Sequence, residues 1–226
     1  MNKKLKLILF DLDGTLIETV HEIADATNDT LRALDLVEVS ESQVRDWIGH
    51  GTRELLISAL ACIKQCPIGQ IREWSQLQQV FELFDHFYLA RCGTHSYLYA
   101  DVFDVLGQLK SAGIKMAVVT NKESRFTQAV MQAHHLESYF DVVISGDTLG
   151  SKKPDPQGIN LCLQTLGVQP DEAIFIGDSS VDAKTAQNAG LRVWLMPYGY
   201  NMGAPLEDSK PNHIAKGFKE IVELLG

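Results

Sequence analysis

Short apolar runs that stop abruptly at acidic or small polar residues recur along this chain, and they limit its fold more than any other feature. The first, Leu5-Lys6-Leu7-Ile8-Leu9-Phe10, breaks off at Asp11-Leu12-Asp13-Gly14. A run this short, bounded by turn residues, suits a buried parallel strand better than a helix. Lys115–Val119, Asp141–Ile144 and Ala173–Ile176 share its form, and Arg192–Leu195 reads as a fifth strand. Amphipathic stretches at Val102–Ala112, Arg125–His135, Gln157–Leu166 and Asp182–Ala189 lie between or after them, punctuated by Gly113, Gly167 and Gly190. Alternation of this kind predicts an α/β fold whose parallel sheet is covered by helices on both faces.

Residues 18–96 break the rhythm. They carry helix-period patterns and no convincing strand, which predicts a helical insert, with 1–17 and 97–226 forming the sheet domain around it. An insert that enters and leaves at neighbouring points is suited to act as a hinged lid, or to stay as a fixed elaboration. At 226 residues, with 45% hydrophobic and 22% charged residues, the chain can bury a sizeable core without metals or disulfides. A net charge of -9 argues against nucleic acid as a partner, because that needs a basic face. Cys62, Cys66, Cys92 and Cys162 lack the spacing of a disulfide framework, so reduced thiols in a cytoplasmic protein are expected. Cys62 and Cys66 are read as half-buried core thiols on one helix face. The start Met1-Asn2-Lys3-Lys4 has the charge of a signal segment, but the apolar run after it is short and meets Asp11 with no small-residue cleavage site. No run approaches membrane-spanning length.

The chemistry gathers at the strand ends, where open parallel sheets place ligands. Residues two apart on extended backbone point the same way, so Asp11 and Asp13 can face one ligand while Leu12 faces the core. Gly14 permits the sharp departure that follows. Taken alone, the segment is as readily an acidic turn before a helix. Gly177-Asp178-Ser179-Ser180-Val181-Asp182 stands at another strand end, where a serine N-cap and a dipole-favoured acid would explain it equally well in isolation. Together the two acidic ends resemble an oxygen-ligand site for Mg2+. Thr120-Asn121-Lys122 offers a hydroxyl and backbone N–H groups to phosphate oxygens, and Lys153, just before Pro154, offers a fixed positive charge.

The order of these segments (DxDGT, an apolar strand ending in Thr, Lys-Pro, an apolar strand ending in GDxxxD) resembles the haloacid dehalogenase-like hydrolase superfamily along nearly the whole chain. The resemblance implies a Rossmann-like core with an inserted helical cap domain. It also implies Asp11 as nucleophile, Asp13 as general acid and base, Thr120 and Lys153 as catalytic phosphate contacts, and Mg2+ on Asp11, Asp178 and the Asp13 carbonyl. Asp182 is then expected to orient waters or Lys153. Trp47-Ile48-Gly49-His50-Gly51, Val119-Thr120-Asn121-Lys122, Lys153-Pro154-Asp155-Pro156 and Tyr198-Gly199-Tyr200-Asn201 are similar to the bacterial phosphoglycolate phosphatase branch. That implies a small phosphorylated metabolite, 2-phosphoglycolate, as substrate, with Asn121, His50 and Arg53 among its contacts. A pyrophosphatase, nucleotidase or sugar phosphomutase on the same scaffold, or a silent phosphate-binding module, are the competing readings. Tyr99-Ala100-Asp101 departs from the family by replacing an expected proline-containing turn.

Overall fold

Alternate residues of strand β1, Leu7–Phe10, serve two different cores. Ile8 and Phe10 join Leu12, Val118, Ile174 and Ile176 on one face, while Leu7 and Leu9 join Ala117, Val119, Phe175 and Val193 on the other. A strand covered on both sides has no polar face to alternate with, so it reads as an unbroken apolar run. The computed structural model describes residues 4–225, so the start of the signal-like segment, residues 1–3, lies outside the described residues.

After β1 come β2 (Ile17–Glu18) and five helices: α1 (Val20–Ala33), α2 (Glu41–Trp47), α3 (Thr52–Lys64), α4 (Ile68–Arg72) and α5 (Leu77–Arg91). Strand β3 (Tyr97–Leu98) and helix α6 (Val102–Ser111) follow, then β4 (Lys115–Val119), α7 (Ser124–Ala133), β5 (Val142–Ile144) and α8 (Gln157–Leu166). The remainder is β6 (Ala173–Gly177), α9 (Ser180–Asn188), β7 (Arg192–Leu195), β8 (His213–Ile214) and a tight helical segment, Phe218–Leu225. Six strands pair in parallel in the order β5-β4-β1-β6-β7-β8. The chain winds outward from β1 to β5 on one side, then restarts at β6 on the other. The reversal opens a crevice at the carboxyl ends of β1 and β6, where a ligand is best placed.

The five helices between β2 and β3 hold an apolar core of their own, centred on Leu31, Val44, Leu56, Leu60, Phe84 and Tyr88. Two features were not foreseen. β2 and β3 pair antiparallel, Ile17 with Leu98 and Glu18 with Tyr97, which brings the two ends of the helical segment together. β8 extends the main sheet by one more strand. Both involve strands of two residues, too short to display a period-2 pattern. The thiol reading also needs correction: Cys62 is exposed, and α3 ends at Lys64 with Gln65 in the left-handed region, so Cys66 leaves the helix. No described helix is long and apolar enough to cross a membrane.

Candidate active site

Register places the acidic residues. Phe10 pairs with both Val118 and Ile176, so the ends of β4, β1 and β6 lie level, and the residues just beyond them share one rim of the sheet. Asp11, Asp13, Thr120, Asn121, Lys122, Lys153 and Asp178 line one cavity there, closed from above by Ile23, Ile48, Gly49, Gly51, Thr52 and Leu55 of the helical segment. Leu12, between the two acids, is fully buried in the core.

Lys153 organises the rim. Its ammonium donates to Asp11 Oδ1 at 2.6 Å and to Asp182 Oδ1 at 2.7 Å, with its side chain 4% exposed. Asp182 is tied down on its other oxygen, which accepts from the Ser179 hydroxyl at 2.6 Å and from the Asp178 and Ser179 amides. Ser179 caps α9 by accepting from the Asp182 amide, so the pair forms a reciprocal capping box that fixes the acid on the helix's first turn. Removing Lys153 would leave two buried carboxylates without their cation, a change that costs about 3–5 kcal/mol in comparable buried pairs.

Asp178 is clasped from both sides. Thr15 Oγ1 donates to its Oδ1 at 2.7 Å and the Tyr200 amide to its Oδ2 at 2.6 Å. The fit depends on two glycines: a Cβ on Gly14 would stand 2.3 Å from Asp178 Oδ2, and one on Gly199 would stand 2.2 Å from the same atom. Gly14 also has φ of +88°, which a side chain would strain.

One oxygen of each of Asp11, Asp178 and Asp182 falls within 4.8 Å of the others, all three residues buried. Burial pushes the Asp11 carboxyl up to about 7, against the pull of Lys153 and with further upward push from Asp182. Burial, then the charges of Asp182 and Asp11, drive Asp178 well above the ordinary carboxylate range. Three buried carboxyl groups this close, two of them on the Lys153 ammonium, form a hard-oxygen cluster that suits a metal ion of the Mg2+ kind. Within it Asp11 and Asp178 are the candidates for ligation, because the Asp182 oxygens already accept four hydrogen bonds and those of Asp178 only two.

Asp13 sits one step outward. Its Oδ1 accepts from the Thr19 hydroxyl at 2.8 Å, and the Lys122 ammonium reaches Oδ1 at 2.9 Å and Oδ2 at 3.1 Å. Lys122 also donates to the hydroxyl of Tyr88 on α5, and its side chain is 1% exposed. Asn121, expected among the substrate contacts, spends its carboxamide on backbone: Oδ1 accepts from the Lys153 amide at 2.8 Å, while Nδ2 donates to the carbonyls of Gly49 at 2.9 Å and Lys153 at 3.1 Å. It splints the turn after β4 to the Lys153 loop and to the helical segment.

His50 and Arg53 are not brought to the cavity. Both are exposed, and the Arg53 guanidinium lies 4.5 Å from the ring centroid of Phe81, on the outside of α3. Gly49, Gly51 and Thr52 line the cavity instead. The helix turn that aims Thr52 inward, where its hydroxyl meets Glu123 at 2.8 Å, rotates its neighbour Arg53 away. Thr15, Thr19, Lys122 and Tyr200 were given no separate role by sequence reasoning. Thr15 lies inside the DxDGT segment, Lys122 directly after Thr120-Asn121 and Tyr200 inside the Tyr198-Gly199-Tyr200-Asn201 segment, so each was marked by its neighbours without a role of its own.

With this geometry established, comparison with known proteins is specific. The profile for "Haloacid dehalogenase-like hydrolase" matches residues 8–196. A phosphoglycolate phosphatase of Vibrio vulnificus (strain CMCP6) is 37% identical over 223 residues, covering 99% of this chain and 97% of that protein. One from Vibrio cholerae is 36% identical over 99% of this chain and 98% of its own length. Among solved structures, a predicted phosphoglycolate phosphatase from Haemophilus somnus 129PT superposes with a TM-score of 0.91 at 30% identity, covering 99% of both chains. CbbY from Rhodobacter sphaeroides, solved in complex with phosphate, gives a TM-score of 0.77 at 26% identity over 96% of each.

Proposed function

The chain belongs to the haloacid dehalogenase-like hydrolase family, and from that premise we propose that it is a magnesium-dependent phosphatase converting 2-phosphoglycolate to glycolate and phosphate through a phospho-aspartate on Asp11. The observation that carries this reading is the placement of Asp11 at the end of a central strand, inside the cavity, with Lys153 at 2.6 Å and Asp178 beside it. A carboxylate so placed is a nucleophile with its countercharge already assembled.

An Asp11 oxygen attacks phosphorus in line as the bond to the ester oxygen breaks. Asp13, held on the same side two residues on, gives its proton to the departing alkoxide. Water then attacks the acyl phosphate, Asp13 takes a proton from it, and phosphate leaves with Asp11 restored. Lys153 and Thr120 offset or bind the phosphate oxygens through both displacements. Asp182 keeps Lys153 aimed at Asp11. Mg2+, held by Asp11, Asp178 and the Asp13 carbonyl, would supply further charge neutralisation at the phosphate. The likeness to CbbY supports a phosphate site on this scaffold, since that protein was solved with phosphate bound.

In this account residues 18–96 form a cap over a core of 1–17 and 97–226, and the protein works in the cytoplasm on a free metabolite. A Mg2+-dependent phosphate-release screen tests the reading, with 2-phosphoglycolate beside sugar phosphates, nucleotides and pyrophosphate. The highest kcat/KM is expected for 2-phosphoglycolate, and a nucleotide or pyrophosphate in first place would replace the substrate assignment.

A further inference from the structure

With His50 and Arg53 facing solvent, the cavity has two cationic side chains among its lining residues, Lys153 and Lys122. Lys153 lies on the phosphate side, with two of its three N–H groups on Asp11 and Asp182 and the third left for a phosphate oxygen. Lys122 stands on the other side of Asp13, suspended between the core and the cap. Its backbone is rigidly seated: the Lys122 amide donates to Thr120 Oγ1 at 3.2 Å, and its carbonyl accepts from the Gly146 amide at 2.7 Å and the Thr127 hydroxyl at 3.2 Å. A Cβ on Gly146 would lie 2.1 Å from the Asn121 carbonyl, so the loop after β5 presses directly on this turn.

From these positions we infer that Lys122 is the specificity residue for a second anionic group on the substrate, next to the ester-bearing carbon. The inference rests on the phosphatase reading, which fixes where the ester oxygen lies. Phosphorus lies at Asp11, so the ester oxygen must face Asp13 to be protonated. In glycolate phosphate the carboxylate carbon is two covalent bonds from that oxygen. Its carboxylate therefore emerges beside Asp13, where the Lys122 ammonium already makes contacts of 2.9 Å and 3.1 Å. The ammonium can exchange one of these for a substrate oxygen without leaving its seat on Tyr88.

The lysine side chain is 1% exposed, with its ammonium 2.9 Å from the Asp13 carboxylate. Among the described residues that line the cavity, Lys122 and Lys153 are the cations; Lys152 lies behind Gly51, its ammonium 3.8 Å from Glu123. The substrate class assigned is thus phosphate monoesters bearing a carboxylate on the carbon attached to the ester oxygen, in preference to neutral esters of equal size.

The test compares 2-phosphoglycolate with its neutral amide in the wild-type protein, Lys122→Met and Lys122→Arg, reading the ratio of kcat/KM values so that any general loss of catalysis cancels. Wild type should favour the carboxylate by on the order of 10- to 100-fold, as expected for a charge-assisted contact. Lys122→Met should bring the ratio to within about threefold of one, and Lys122→Arg should keep most of the preference. An unchanged ratio in Lys122→Met, or equal use of both esters by wild type, overturns the assignment while leaving the phosphatase reading intact. Phosphate release from neither ester overturns both. A crystal structure of the wild-type protein with 3-phosphonopropionate gives the answer even where a variant does not fold: the carboxylate is expected within about 3.2 Å of Lys122 Nζ, and a carboxylate seated on His50 or Arg53 would refute the inference.

Discussion

The floor and the roof of the cavity are built by different rules. On the floor, three acidic side chains are each held by partners from separate strand-end loops, Asp178 by Thr15 and Tyr200, Asp182 by Lys153 and Ser179, and Asp13 by Thr19 and Lys122, while Asp11 meets Lys153. On the roof, the lining is Ile23, Ile48, Leu55, the backbone of Gly49 and Gly51, and Thr52, whose hydroxyl is turned to Glu123. The floor is therefore specified by charge and hydrogen bonding, the roof by shape. Such a division predicts that floor substitutions act on the chemical step and roof substitutions on stability or access. The two meet at a hinge, where Glu18 accepts from the hydroxyls of Tyr200 and Tyr99 and pairs with Arg45 of α2 at 3.2 Å.

Asp11→Asn is the severest test of the floor. It should lower kcat by about 10⁴-fold or more, as loss of a covalent nucleophile does, while the melting temperature holds or rises because a crowded buried charge is removed. Residual turnover near wild type would end the covalent account. Chelation comes next: activity should vanish in a chelator and return with Mg2+, with Ca2+ a poor substitute because its larger, looser shell holds in-line geometry less well. Full activity in chelator would remove the metal from the scheme. Asp13→Asn should slow an alkyl phosphate by about 10²–10⁴-fold and an activated aryl phosphate much less, since a good leaving group needs little protonation. Equal slowing of both would deny Asp13 its role as acid.

The hinge should give a smaller effect that is visible in stability. Burial opposes the charge on Glu18, but hydrogen bonds from Tyr200 and Tyr99, the Val20 amide and the Arg45 charge hold its carboxyl below the ordinary value. A carboxylate depressed in the folded state stabilises above its unfolded value, near 4.5, and that stabilisation is lost as pH falls through the folded value. Glu18→Gln should thus cost about 1–3 kcal/mol at neutral pH and flatten part of the acid limb of a melting-temperature profile. A variant whose profile overlays that of wild type would show that the hinge carboxylate carries no such weight. The smallest effect is expected on the roof's outer side: Arg53→Ala should change kcat/KM for 2-phosphoglycolate by less than about threefold and stability by about 0.5–1 kcal/mol through the lost Phe81 contact. A large rise in KM confined to carboxylated substrates would restore Arg53 to the site.

The same division explains what could be read from the sequence. Floor residues were legible because they directly follow apolar runs whose strand character is set locally, and parallel register aligns those ends automatically: Lys115–Val119 and Arg192–Leu195 match their strands to the residue. Lys153 was visible through its proline neighbour. Roof and hinge were not legible in this way. Whether Thr52 or Arg53 faces inward depends on the rotation of α3 against Glu123, a contact across 71 positions of sequence. Tyr200 reaches Glu18 from 182 positions away. β2, β3 and β8 are too short to carry a pattern of their own. Lys122 is an intermediate case, adjacent to a recognised segment but given meaning only by Asp13 and Tyr88, which arrive from elsewhere in the chain.

The central claim is that phosphate passes through Asp11, and stereochemistry at phosphorus tests it without relying on any variant. A monoester made chiral at phosphorus with oxygen isotopes, hydrolysed by the wild-type protein with Mg2+, should yield phosphate of net retained configuration, because two in-line displacements invert twice. Net inversion would mean that water attacks the substrate directly, and Asp11 would then be a base or a metal ligand rather than the nucleophile.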